Sequence, residues 1–273
     1  MKIWKNTATL DRYVPSLAET VELSEAELAV IGSKAISLED MPRLKGIFKC
    51  GVGTDNVPFE EAKKRGVEIC LPSEETKRFI FEETANFAVY LILRMLYNDI
   101  GDLERWRKVS RVFLGNRKVL LIGQGNIGAH VGRKLQGCVE VLTFDVVVNA
   151  MSELRDLVSK ADVISLHVPL LESTRGFFDQ EKLSWMKNGA ALVNTARGQI
   201  VDEGALFDEI QSGRLRAAFD VYWKEPYDGI LKAFHPERFL MSPHVSSNCE
   251  DFLSGLAKDF VAFDRRLDAT VGF

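Results

Sequence analysis

The sequence predicts an α/β protein built from two doubly wound domains. Three observations predict it. Short apolar runs alternate with helical patterns in two separate parts of the chain. With 273 residues, 46% of them apolar, the chain is too long for one small domain and rich enough in apolar residues for two cores. A glycine-rich turn, ending in Gly123-Gln-Gly125-Asn126-Ile127-Gly128, closes an apolar strand and opens a helix at the start of the second, more regular part.

In the first part, 2–4, 28–31, 46–48 and 67–70 read as short strands. Residues 59–65 read as a helix, stopped by Gly66 in a left-handed cap. A long helical pattern over 82–110 carries Phe87, Leu91 and Met95 on one face and serves as connector. In the second part, strands are expected at 119–122, 140–144, 163–167, 190–193 and 217–219. Helices lie between them at 127–135, 152–159, 180–186 and 203–212. Such unbroken apolar strands suit a parallel sheet covered on both faces. The tail after Asp251 reads as a helix with Phe252, Leu256, Phe260 and Phe263 on one side, ready to return to the first domain. The expected division is 1–85 plus 252–273 for a smaller, flavodoxin-like domain and 86–251 for a Rossmann domain.

Composition excludes several classes of function. A net charge of −4 leaves no basic footprint for nucleic acid. No stretch reaches the ~18 uncharged apolar residues of a membrane span; the nearest, 87–96, contains Arg94. The polar start Met1-Lys-Ile-Trp-Lys-Asn-Thr7 is unlike a signal peptide. Cys50, Cys70, Cys138 and Cys249 are scattered and read as reduced cytosolic thiols, not as disulfides or a metal site. The expectation is a cytoplasmic protein without a metal.

The glycine turn points to a dinucleotide. Gly123 permits a tight turn, Gly125 lets pyrophosphate approach the backbone, and Gly128 lets the helix pack close to the sheet. The helix N-terminus offers free amides to the phosphates. Asp145, 17 residues after Gly128, ends the next strand and can accept bonds from both ribose hydroxyls. It would repel a 2′-phosphate, and Val146–Val148 supply no arginine to welcome one, so NAD is favoured over NADP.

The four histidines allow a choice by elimination. His130 lies on the helix after the turn and reads as packing. His235, before Pro236, reads as a solvated surface residue. His167 ends a strand near the cofactor; a hydrogen-bonded histidine shaping its loop is weighed there against a proton carrier. His244, in Ser242-Pro-His244, also falls at a strand end and has Glu225 available as a partner. An imidazole beside a carboxylate is suited to acid/base work near neutral pH. Arg197 follows an apolar strand, where a guanidinium can grip a carboxylate and polarise a carbonyl oxygen; the competing reading is a surface salt bridge.

These segments, with Gly51-Val-Gly-Thr-Asp-Asn56, Leu166-His-Val-Pro-Leu170, Asn194-Thr-Ala-Arg-Gly198, Phe219-Asp-Val-Tyr-Trp-Lys-Glu-Pro226 and Ser242-Pro-His244, run in one order over nearly the whole chain. In them the chain resembles the D-isomer-specific 2-hydroxyacid dehydrogenases, which include phosphoglycerate, glycerate, hydroxypyruvate and D-lactate dehydrogenases. The resemblance implies hydride transfer between NAD and a small D-2-hydroxy acid or its 2-keto partner. It implies Arg197 on the substrate, His244 as acid/base, Glu225 paired to it, and Asp220 at the nicotinamide carboxamide. Backbone amides of Val52 and Gly53 would complete the carboxylate site, in a smaller substrate domain. The expected cofactor set is Gly123, Gly125, Asn126, Ile127, Gly128, Asp145, His167, Val168, Pro169, Thr174, Thr195, Ala196 and Asp220. A homodimer joined through the cofactor domain is implied as well.

Three departures stand out. The segments before Val119 and after Asp145 are trimmed, and no appended regulatory domain is expected. Gly32-Ser33 stands where phosphoglycerate-type members often carry Arg-Ser, so Lys34 or Lys49 would have to supply that charge. Glu225 argues against a formate-type enzyme, which carries Gln there, and Val52 against a phosphite type, which carries Lys. The alternative from another class is an NAD-sensing scaffold like the corepressors of the same family.

Overall fold

The computed structural model describes residues 1–270. The chain divides into two compact units, Met1–Ile80 with the segment from Ser247, and Phe81–Ser246. Both changeovers come five residues before the expected boundaries, and the end of the expected tail, 271–273, lies outside the described residues.

In the smaller unit, β1 (Ile3–Lys5), β2 (Leu28–Ile31), β3 (Gly46–Lys49) and β4 (Glu68–Cys70) form a parallel sheet in that order. The order rises without reversal, so this sheet has no switch point. Alternation along the strands splits the core. Leu28, Val30 and Phe48 face one side, with Phe260 and Phe263 of the C-terminal helix Glu250–Thr270. Ala29, Ile31 and Ile47 face the other, with Ala62 of α1 (Phe59–Arg65). As the sequence suggests, α1 stops at Gly66 with φ 68°, a left-handed cap that costs glycine little.

The long helix differs from its expected bounds. α2 spans Glu74–Leu96, starting eight residues earlier and stopping fourteen earlier than the periodicity suggests. Ser73 explains the start: its Oγ accepts from Thr76 N at 3.3 Å, its carbonyl accepts from Lys77 N at 2.8 Å, and Glu74 and Glu75 suit the positive helix end. After Leu96 the chain turns at Gly101 (φ 109°), where a Cβ would stand 2.3 Å from Arg107 O, and Asp102 bridges Arg107. A helix cannot continue through that geometry.

The larger unit follows the alternation closely: β5 (Lys118–Ile122), α3 (Asn126–Leu135), β6 (Glu140–Phe144), α4 (Met151–Lys160), β7 (Val163–Leu166), α5 (Gln180–Ser184), β8 (Ala191–Asn194), α6 (Glu203–Gln211), β9 (Arg216–Phe219) and β10 (Phe239–Met241). Its six parallel strands run in the order β10-β9-β8-β7-β5-β6. The chain leaves β5 toward β6 and then crosses back to β7, so the order reverses there, as in a Rossmann sheet. Only β6 lies outside β5. Leu120 and Ile122 serve one core layer, Val119 and Leu121 the other. The strand ends that follow β5, β7, β8, β9 and β10 therefore share one edge of the sheet.

Phe260 is buried and meets Phe48 edge-on at 5.3 Å between ring centres. Phe260→Ala is predicted to destabilise the smaller unit by about 3–5 kcal/mol through the cavity it leaves, measured by urea unfolding.

Candidate active site

The glycine turn follows β5 and has the geometry that a dinucleotide requires. Gly123 has φ 96°, and a Cβ there would stand 2.5 Å from His167 O. A Cβ on Gly128 would stand 2.0 Å from Gly123 O, so the helix and turn can approach only with glycine at both places. An added Cβ on Gly125 meets nothing within 4 Å, which leaves room for a ligand at the head of α3. Ala129 N makes the first bond of that helix, to Gly125 O at 3.0 Å, and the amides of Asn126 and Ile127 precede it.

Asp145 is fastened to the same turn. Its oxygens accept from Val147 N at 3.0 Å and Gln124 N at 2.8 Å. Those amide bonds hold its carboxyl below the usual carboxylate range, against the opposing effect of burial. The site therefore presents an anion where ribose hydroxyls would lie, with Val146–Val148 exposed beside it and no cation among them.

His167 follows β7. The sequence favours a hydrogen-bonded histidine; in the structure both ring nitrogens are shielded from solvent, and neither has a partner among the described residues. Burial pushes its pKa down to about 4, so the ring is neutral at pH 7. Thr195 Oγ1, just after β8, is likewise buried and unpartnered. Buried polar atoms of this kind are normally satisfied; these two residues lie at the strand ends where a dinucleotide is expected, and they fit its polar groups. Thr174 Oγ1, by contrast, donates to Pro169 O at 2.6 Å and accepts from Leu171 N at 2.8 Å, which closes the loop after Val168.

Arg197 sits in a turn shaped by Asn194, the last residue of β8. Asn194 donates to Arg197 O at 2.8 Å and accepts from Ala196 N at 2.9 Å. Gly198 is buried against the 222–223 backbone; a Cβ there would stand 2.1 Å from Tyr222 C. That contact brings the Arg197 turn beside the loop that bears Glu225. Both Asn194 and Gly198 are positioning residues that the sequence reading left without a role, although a polar Asn closing the run Ala191–Asn194 was a visible signal.

Glu225 and His244 form the expected pair. His244 Nδ1 lies 2.9 Å from Glu225 Oε2 and 3.1 Å from Oε1. Burial pushes the Glu225 carboxyl up, but the His244 bond and charge, the Tyr222 amide and the Arg197 charge together bring it below the ordinary value. His244 itself has φ 54°, a left-handed conformation uncommon for a residue with a side chain. Its loop is fastened by Asp220, which is wholly buried. Asp220 accepts from Ser242 Oγ at 2.6 Å, Val245 N at 2.9 Å and Ser246 N at 2.8 Å. The resemblance places Asp220 at the nicotinamide; in the structure both its oxygens already serve the His244 loop.

The other two histidines lie elsewhere. His130 meets Glu82 at 2.6 Å on the surface, and His235 is exposed with its Nδ1 accepting from Met241 N at 3.1 Å. In the smaller unit, Val52 and Gly53 are partly exposed just after β3. Lys49 is buried, its ammonium donating to Gly32 O, which also accepts from Asn56 Nδ2 at 2.9 Å. Lys34 is exposed. Among the described residues no cluster of His, Cys, Asp or Glu could hold a metal, and no helix is long and apolar enough to cross a membrane.

Two family models match the chain. Residues 97–246 match the NAD-binding domain, and residues 9–78 the catalytic domain, of the D-isomer specific 2-hydroxyacid dehydrogenases. The chain is 30% identical to a glyoxylate reductase of Korarchaeum cryptofilum, over 97% of this chain and 86% of that protein. It is 31% identical to a glycerate dehydrogenase of Methylorubrum extorquens, over 89% and 83%. Among solved structures it resembles a D-lactate dehydrogenase from Aquifex aeolicus complexed with NAD and lactic acid, with TM-score 0.76 and 26% identity over 95% of this chain and 86% of that one.

The neutral state of His167 has a measurable consequence. An unfolded histidine titrates near pH 6.5, so on acidification the unfolded chain takes up a proton that the folded chain refuses down to about pH 4. The contribution is fully favourable above the unfolded pKa and is lost as pH falls. Between pH 7 and pH 5 the larger unit is predicted to lose about 2 kcal/mol from this group. His167→Gln should remove that part of the pH dependence in urea unfolding.

Proposed function

Because the chain belongs to the D-isomer specific 2-hydroxyacid dehydrogenase family and is an NAD-dependent dehydrogenase, we propose that its substrate is a small acid of the glyoxylate, hydroxypyruvate or glycerate type. The observation that carries the proposed mechanism is the His244–Glu225 pair at 2.9 Å, on the same sheet edge as Arg197. Bound NADH supplies the hydride to the carbonyl carbon. Arg197 holds the substrate carboxylate and draws electron density toward the carbonyl oxygen. Protonated His244 delivers its proton to that oxygen, and Glu225 stabilises the imidazolium beforehand. In the reverse direction neutral His244 accepts the hydroxyl proton. Relatives named as glyoxylate reductase and glycerate dehydrogenase support the substrate class. The scaffold alternative has no counterpart among the relatives named above. A homodimer joined through the larger unit and a cytoplasmic setting are part of the same proposal.

The experiment is NADH oxidation against glyoxylate, hydroxypyruvate, pyruvate, a branched 2-keto acid and 3-phosphohydroxypyruvate. Turnover of glyoxylate or hydroxypyruvate is expected to lead. Preference for the phosphorylated acid would contradict the proposed class. His244→Ala should lower kcat by roughly 10²–10⁴-fold with NADH affinity nearly unchanged; unaltered turnover would remove His244 from the mechanism. Glu225→Gln deletes the charge that stabilises the imidazolium. Reduction should therefore slow, and an unchanged kcat would show that Glu225 does not support His244.

A further inference from the structure

At the opposite edge of the larger sheet, where the strands begin, lies a cavity of about 340 Å³. Arg117, Asp162, Lys187, Asn188, Gly189 and Arg216 contribute to its wall. These residues stand immediately before or at the start of β5, β7, β8 and β9, four consecutive neighbours in the sheet. The five residues of β5 separate this edge from the glycine turn by roughly 16 Å at ~3.3 Å per residue. The cavity is therefore distinct from the dinucleotide and acid/base sites.

Its charges do not balance. Three cations, Arg117, Lys187 and Arg216, face one carboxylate, Asp162. Asp162 Oδ2 is committed to Lys118 N at 2.8 Å, and Oδ1 is shared between Arg117 and Lys187, each at a long 3.3 Å. Arg216 has no carboxylate within 4 Å among the described residues; its Nη1 and Nη2 donate to Met95 O at 3.0 Å and Gly189 O at 3.1 Å. Burial first, and then the nearby charges of Arg117 and Arg94, depress its pKa. A network that merely tied the strands together would pair these charges. This one leaves two positive charges in surplus around a polar space of small-ligand size.

We propose that this cavity binds a small oxyanion carrying two or more negative charges, held by Arg117, Lys187 and Arg216. A planar guanidinium matches the geometry of phosphoryl or carboxylate oxygens, and Lys187 adds a mobile point charge. The bound anion fastens the starts of four strands whose far ends carry the glycine turn, His167, the Arg197 turn and Asp220, and so stabilises the folded unit.

Titration calorimetry on protein saturated with NADH tests this, because the cofactor then fills the glycine turn before the probe is added. Sodium pyrophosphate and sodium citrate are titrated separately at constant ionic strength; the tighter binder tells a phosphoryl source from a polycarboxylate one. One anion per chain is expected, with Lys187→Gln weakening it at least tenfold while leaving turnover unchanged. Lys187 is the decisive position because Arg216 also supports two backbone carbonyls and its replacement risks the fold. Absence of binding by both probes, or binding indifferent to Lys187→Gln, overturns the proposal.

Discussion

The carboxylate of Asp220, buried just after β9, takes three donors from the loop that follows β10. Much of the site depends on that arrangement. It fixes Ser242, Val245 and Ser246 around His244 and so holds that residue in its strained left-handed conformation. With the loop held, His244 Nδ1 reaches Glu225, three residues beyond Tyr222 on the adjoining loop. The Tyr222 hydroxyl reinforces the link, donating to Ser242 O at 2.9 Å. A buried acid without these donors would be costly, so the carboxylate and the loop stabilise each other.

The sheet supplies the remaining constraint. Parallel strands buried on both faces place every strand end on one edge, and the reversal of order at β5 opens space beside the glycine turn. Residues far apart in sequence thus converge without a long loop. Gly123 and Gly128 are required by contacts with backbone oxygens, whereas a Cβ on Gly125 would meet only open space. Arg197 owes its position to Asn194 and Gly198, two residues that take no part in the chemistry proposed for it.

Much of this was legible in the sequence because residue type alone constrains it. Glycine spacing, a strand-ending acid and the elimination of three histidines lead to the turn, Asp145 and His244. The alternation of apolar runs located the strands of both units within a few residues. The end of α2 was not legible from periodicity, since Phe87, Leu91 and Met95 repeat helically while Gly101 and the Asp102–Arg107 bridge decide where the chain turns. Its start could have been found from Ser73, whose cap competes with no apolar signal. The bonds of Asp220 lie 22 to 26 residues away and emerge only when β9 and β10 pair. The same holds for the cationic cavity, assembled from four strand starts that look like ordinary charged residues between apolar runs.

Asp220→Asn, assayed for kcat and for NADH affinity together, tests the positioning role most directly. An amide there can no longer accept on both sides from Ser242, Val245 and Ser246. A large fall in kcat with NADH binding nearly unchanged is expected, because the loop carrying His244 loses its anchor. Weakened NADH binding with kcat preserved would contradict it and would place Asp220 on the nicotinamide instead.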